Sequence, residues 1–238
     1  MLLHPFSYKH FKMKIRTQLG LCTLLWIFSS AVFAENPDQP LIPKGWTVLF
    51  SAKGDLNKDK IEDLALIIEQ KDLKNIQKNN DKKNLNPRHL LVFIKQNHQY
   101  QLIDESKTLP TRDDAESSCR MDPLGESEGI SIHRGVLQIH FSYFMSCGGW
   151  EWPHHTYTFR LENKKMKLIG FDYFSFHRST GEETVKSYNF STLKVKNTTG
   201  GNQFEGGHPK STWGTFKPKH NFYLSNINFD DFYNQFEY

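Results

Sequence analysis

His89-Leu-Leu-Val-Phe-Ile-Lys95, followed by Gln96-Asn97-His98-Gln99 and then Tyr100-Gln-Leu-Ile103, is the stretch that decides the fold. Two short apolar runs with β-branched and aromatic side chains flank a four-residue polar turn, which is the pattern of a β-hairpin. The same pattern recurs on both sides. Toward the N-terminus lie residues 46–50 and residues 63–69, the latter (DLALIIE) so continuously apolar that it reads as a strand buried on both faces. Toward the C-terminus, residues 129–133 and 136–144 flank Arg134-Gly135, and residues 156–161 and 166–176 flank Glu162-Asn163-Lys164-Lys165. Hairpins joined in series predict an all-β protein with little helix, mostly an antiparallel meander, propeller-like or sandwich-like.

Between these runs the sequence has less to bury. A polar loop is expected at 71–88, rich in Lys, Asn and Asp. Residues 186–195 read as two short strands or one irregular strand, and residues 197–212, rich in Gly, Asn and Thr, read as a loop. The end carries Phe222, Leu224, Ile227, Phe229, Phe232, Tyr233, Phe236 and Tyr238, the composition of a tail that docks on the body.

Residues 1–34 have the layout of a secretory signal peptide. Lys9, Lys12, Lys14 and Arg16 come without an acid, an apolar run follows at 19–28, and Ser-Ser-Ala-Val-Phe-Ala closes the segment before Glu35. That run is well short of the about 18 apolar residues of a spanning helix, so no transmembrane segment is expected after cleavage. The expectation is a periplasmic or secreted protein whose residues 35–238 form a single β-rich domain. The formal charge of +4 loses its four basic residues with the segment and falls to zero. A neutral chain without a basic stripe argues against nucleic acid as a partner. Cys119 and Cys147 are then the remaining cysteines, and an oxidising compartment makes them a disulfide in preference to a Cys/His metal site or a catalytic thiol.

One stretch carries recognisable ligand chemistry. Gly54-Asp55-Leu56-Asn57-Lys58-Asp59-Lys60-Ile61-Glu62-Asp63 places oxygen-bearing side chains at positions 1, 3, 5 and 9 of a tight loop between two strands. Calcium takes six to eight oxygens, and such alternation turns them inward. An EF-hand would need a carboxylate at position 12, where Leu66 stands, and an exit helix in place of a strand. The ten residues instead resemble the calcium loop of FG-GAP or VCBS repeats, the blade motif of integrin-like propellers. That resemblance implies Asp55, Asn57, Asp59 and Asp63 as side-chain ligands of a structural Ca2+ and Ile61 as a carbonyl ligand. Lys60 departs from the pattern, which usually has Gly there, and is expected to adopt a positive φ. The alternative for the stretch is an Asp/Asn-rich turn whose carboxylates bond their own backbone.

The remaining candidates are weaker. Trp150, Glu151, Trp152 and His154 lie in Ser146-Cys147-Gly148-Gly149-Trp150-Glu151-Trp152-Pro153-His154-His155, either as a recognition loop or as a cap over the end of the core. His133, His140, His154 and His155 lack metal-ligand spacing. The functional expectation is a calcium-stabilised binding module of the cell envelope whose partner is an unknown protein or glycan. Its alternatives are a periplasmic immunity or inhibitor protein, a structural envelope component, and an envelope hydrolase assembled from Glu126, Glu128, Glu151 or His154.

Overall fold

The computed structural model describes residues 40, 42–78, 81–125 and 129–232, together with the backbone at 236–237. The segment read as a signal peptide and the carboxylates Glu126 and Glu128 lie outside the described residues.

Strands β1 (Trp46–Gly54) and β2 (Asp63–Gln70) form a hairpin; β3 (Ile76–Lys78) and β4 (Lys82–Asn84) form a small one; β5 (Arg88–Gln96) and β6 (Gln99–Leu109) form the hairpin first read in the sequence. The first sheet has the order β1-β2-β5-β6. Its two central strands explain the continuous apolar runs. Ala65, Ile67, Leu90 and Val92 face the main core, while Leu64, Leu66, Ile68, Leu91 and Phe93 are buried on the opposite face with Ile42, Trp46 and Tyr100 packed beside them. The loop expected at 71–88 is structured by the β3–β4 hairpin and by a 3-10 turn at Leu73–Asn75, capped by Asp72.

The second sheet is a seven-stranded meander: β7 (Ile130–His133), β8 (Val136–Ser142), β9 (His154–Glu162), β10 (Lys165–Phe176), β11 (Glu182–Asn189), β12 (Lys194–Asn202) and β13 (Gly206–Thr215). Two further short strands, β14 (Lys217–Pro218) and β15 (Phe236–Glu237), pair near the end of the chain. The chain is all-β, with antiparallel hairpins throughout. The two large sheets share one hydrophobic core, the layered rather than the radial arrangement. One flank joins β1 to β7, where Gly54 lies so close to Ile132 that an added Cβ would sit 2.6 Å from its Cγ2. The other joins β6 to β10, where Asp104 Oδ2 accepts the Met166 N–H at 2.8 Å. Four strands therefore lie over β7 to β10, and β11 to β13 extend past them as a wing.

The C-terminal stretch covers much of the inner side that the first sheet leaves bare. Phe216, Phe222, Leu224, Ile227, Phe229 and Phe232 are buried. Met166 and Leu168 on β10 exchange backbone hydrogen bonds with Leu224 and Phe222. The Phe232 ring packs on Tyr157, Phe171 and Phe222.

The wing contains the main departure from the sequence reading. Residues 197–212 are not a loop but most of the β12–β13 hairpin. Thr and Lys with solvent on both faces leave no apolar alternation to read, yet a ladder needs only backbone groups and extended geometry. Gly207, at φ +64° and with the Gly200 carbonyl 2.5 Å from where a Cβ would stand, is what lets the hairpin close.

Candidate functional site

The bend between β1 and β2 begins at Gly54 and ends at Asp63, which face each other as the last register pair of the hairpin. Leu56 is buried in the main core and anchors the bend. The Asp55 carboxylate is turned inward: Oδ1 accepts the N–H groups of Lys58 at 2.6 Å and Asp59 at 3.2 Å, and Oδ2 that of Lys60 at 2.9 Å. Asn57 Oδ1 accepts from Asp59 N, Asp59 Oδ1 from Ile61 N, and the Asn57 amide donates to Asp59 Oδ2. Asp63 is wholly buried and ties the bend to β5, accepting from Leu56 N at 2.8 Å and Lys95 N at 3.0 Å. Burial pushes its pKa upward against those two bonds. Lys60 has φ 69°, and Lys58, at φ 68°, shares the left-handed conformation.

In donor chemistry the bend fits a hard cation, with three carboxylates and an amide oxygen spaced along one tight turn. The same oxygens also satisfy the bend's own N–H groups, so its backbone closes by itself. Among the described residues no group of three or more His, Cys, Asp or Glu is gathered around one point.

The second candidate lies at the opposite side of the sheet sequence, in the β8–β9 connection. Cys119 and Cys147 are joined, with Cα atoms 5.4 Å apart. Ser146 adds two bonds to the Cys119 carbonyl, from its N–H at 2.8 Å and its Oγ at 3.0 Å. Arg178 holds the other side. Its Nη1 donates to the carbonyls of Met145 and Gly149, its backbone N–H donates to the Trp150 carbonyl, and its guanidinium lies over the Phe144 ring at 4.5 Å.

On this clamped loop the two tryptophans divide the work. Trp152 is half-buried, donates from Nε1 to Ser142 Oγ at 2.8 Å, and packs on Phe144, His154 and Phe176. It packs on the outward face of the sheet. Trp150 is 62 % exposed, its ring stacked on His177 at 5.7 Å and 14°. Compared with known protein families, curated proteins and solved structures, the chain shows no match.

Glu151 is bridged to His177 along the backbone and its Oε2 accepts from Ser175 Oγ at 2.5 Å. His154 faces outward, stacked on His140 at 5.6 Å, whereas His155 faces the core against Tyr143, Tyr157 and Phe171. His154 and His155 are thus on opposite faces of the sheet, as the period of two along β9 requires, while His133 ends β7 and is exposed. Arg178 is the residue that sequence reading missed. Its partners are carbonyls about 30 positions back, and nothing in the local composition announces such a contact.

Proposed function

We propose that this protein is an exported binding module of the cell envelope, with the loop at Trp150 as its recognition surface and a structural calcium ion in the bend at Asp55. The observation that carries the reading is the exposed Trp150 indole, held by a loop that a disulfide and Arg178 clamp from two sides. A rigid, exposed aromatic side chain offers contact area without the entropic cost of ordering a mobile loop. The partner is a protein or glycan of the envelope, and a partner protein could be one that this module inhibits.

Retention on immobilised envelope extract tests the recognition surface. The parent chain should be retained and Trp150→Ala should lose about tenfold in affinity, the effect of removing one well-placed aromatic anchor. Equal retention of the two would overturn the assignment, and since the indole touches little of the core, the variant should fold as the parent does.

For the bend, Asp55, Asn57, Asp59 and Asp63 would hold the ion by side-chain oxygens, with Ile61 adding its carbonyl. The ion would supply no chemistry beyond fixing how β1 and β2 leave the turn. Calcium at about 100 times its dissociation constant should stabilise the parent by about 2.7 kcal/mol and leave Asp55→Ala/Asp59→Ala unmoved. A calcium titration without any shift in the parent's melting midpoint would remove the ion from this proposal.

A further inference from the structure

We propose that the outer face of the β11–β13 wing is a second binding site, separate from the Trp150 loop, for an acidic polysaccharide. A groove of about 830 Å³ opens on this face. The register builds it as a grid of two rows across three strands: Asn189, Lys194 and Thr215 in one, Ser187, Lys196 and Trp213 in the other. Val195, between the two lysines, turns inward and is buried with Tyr188, so both lysine side chains leave the outer face, from Cα atoms about 7 Å apart along the strand.

The walls are complementary to an anion. No carboxylate lines the groove, and among the described residues neither Lys194 nor Lys196 is in an ion pair. Asp172, on the same face, stands across Ser187 and so two strands from Lys196. Asn189 spends its carbonyl oxygen on the N–H groups of Ser191 and Thr192 at 3.0 Å, which leaves its NH2 as the group able to donate.

Trp213 selects among anions. Its indole is 68 % exposed, cross-strand from Lys196, on a part of the sheet otherwise occupied by short polar side chains and lysines. A flat apolar ring beside hydroxyl and amide groups suits a pyranose, whose C–H face stacks on the indole while its hydroxyls meet Ser187 and Thr215. Carboxylates carried along the sugar chain then reach the two ammonium groups. An acidic peptide would satisfy the lysines but gains less from the exposed ring, so it serves as a control.

Affinity electrophoresis of the full chain through gels containing polygalacturonate, neutral dextran or polyglutamate tests this. Polygalacturonate should retard the parent and dextran should not. Lys194→Gln/Lys196→Gln and Trp213→Ala should each weaken retardation by about tenfold, whereas Trp150→Ala should behave as the parent, which separates this site from the recognition loop. All these side chains are exposed, so unchanged melting curves should accompany the loss. No retardation of the parent by polygalacturonate, retardation that survives both groove variants, or polyglutamate binding as tight as polygalacturonate would each overturn the proposal.

Discussion

His155 illustrates how one step along a strand changes a residue's chemistry. His154 on its outward side keeps company with His140, while His155 is packed among Tyr143, Tyr157 and Phe171. Burial, with a smaller contribution from the charges of His154 and His140, pushes its pKa down to about 4. The folded state therefore holds His155 neutral while the unfolded chain takes up a proton below about pH 6.5. Stability is complete above that value and is lost as pH falls toward 4, by up to about 3 kcal/mol for a shift of this size. Asp63 and Asp104, both raised by burial, act with the opposite sign. Comparing urea midpoints of the parent and His155→Phe between pH 7 and pH 4.5 isolates the imidazole: the variant should show a shallower loss on acidification, and an unchanged slope would contradict the assignment.

Among the elements, those legible in the sequence were the ones that bury side chains by a simple rule. Strand β2 announces itself because residues 63–69 are all buried, and the β5–β6 hairpin because apolar runs bracket Asn97 and His98, both at positive φ. Strand β13 was invisible because eight of its first residues are exposed in a row, so its only signal is a capacity for backbone pairing that any sequence shares. The loop at Trp150 was half legible: composition marked it, but only the register of β8 and β9 and the reach of Arg178 decide which tryptophan packs on the outward face of the sheet and which stays exposed. The link between Cys119 and Cys147 spans 28 positions, and on the chain-entropy model its removal costs about 3 to 4 kcal/mol. Reduction should lower the urea midpoint accordingly and weaken retention through Trp150 as well, since the clamp on residues 145–150 loses one side. Retention untouched by reductant would mean that Arg178 alone orders the loop.

The molecule as a whole depends on a buried cation that the sequence hid. Arg88, 1 % exposed, pairs its Nε with Glu69 at 2.9 Å and both terminal nitrogens with Asp122 at 2.6 and 2.7 Å. Glu69 also accepts from Asn84 at 3.1 Å, and Asp122 accepts from Leu124 N at 3.1 Å. These bonds gather β2, β5, the 71–88 excursion and the connection that leads from the first sheet to the second. An arginine at the edge of a polar stretch reads as solvated, and its partners 19 and 34 positions away give no local cue. Arg88→Ala takes the guanidinium from a buried Glu69 and leaves Asp122 only the longer pairing with Arg112 at 3.8 Å, and should cost about 3 kcal/mol, measured by urea unfolding. A loss below 1 kcal/mol would show that water readily replaces the guanidinium.

The wing ends in open backbone, since among the described residues no strand pairs with the outer side of β13. A row of unused amides and carbonyls is a template on which a neighbouring copy can add itself, strand upon strand, into a growing ribbon. Here Pro209 lacks the amide hydrogen such an addition requires, Lys210 opposes an identical charge on an incoming copy, and Gly206 and Gly207, both at positive φ, bend the start of the strand. The polarity that concealed this strand from a reader of the sequence also guards it against self-association.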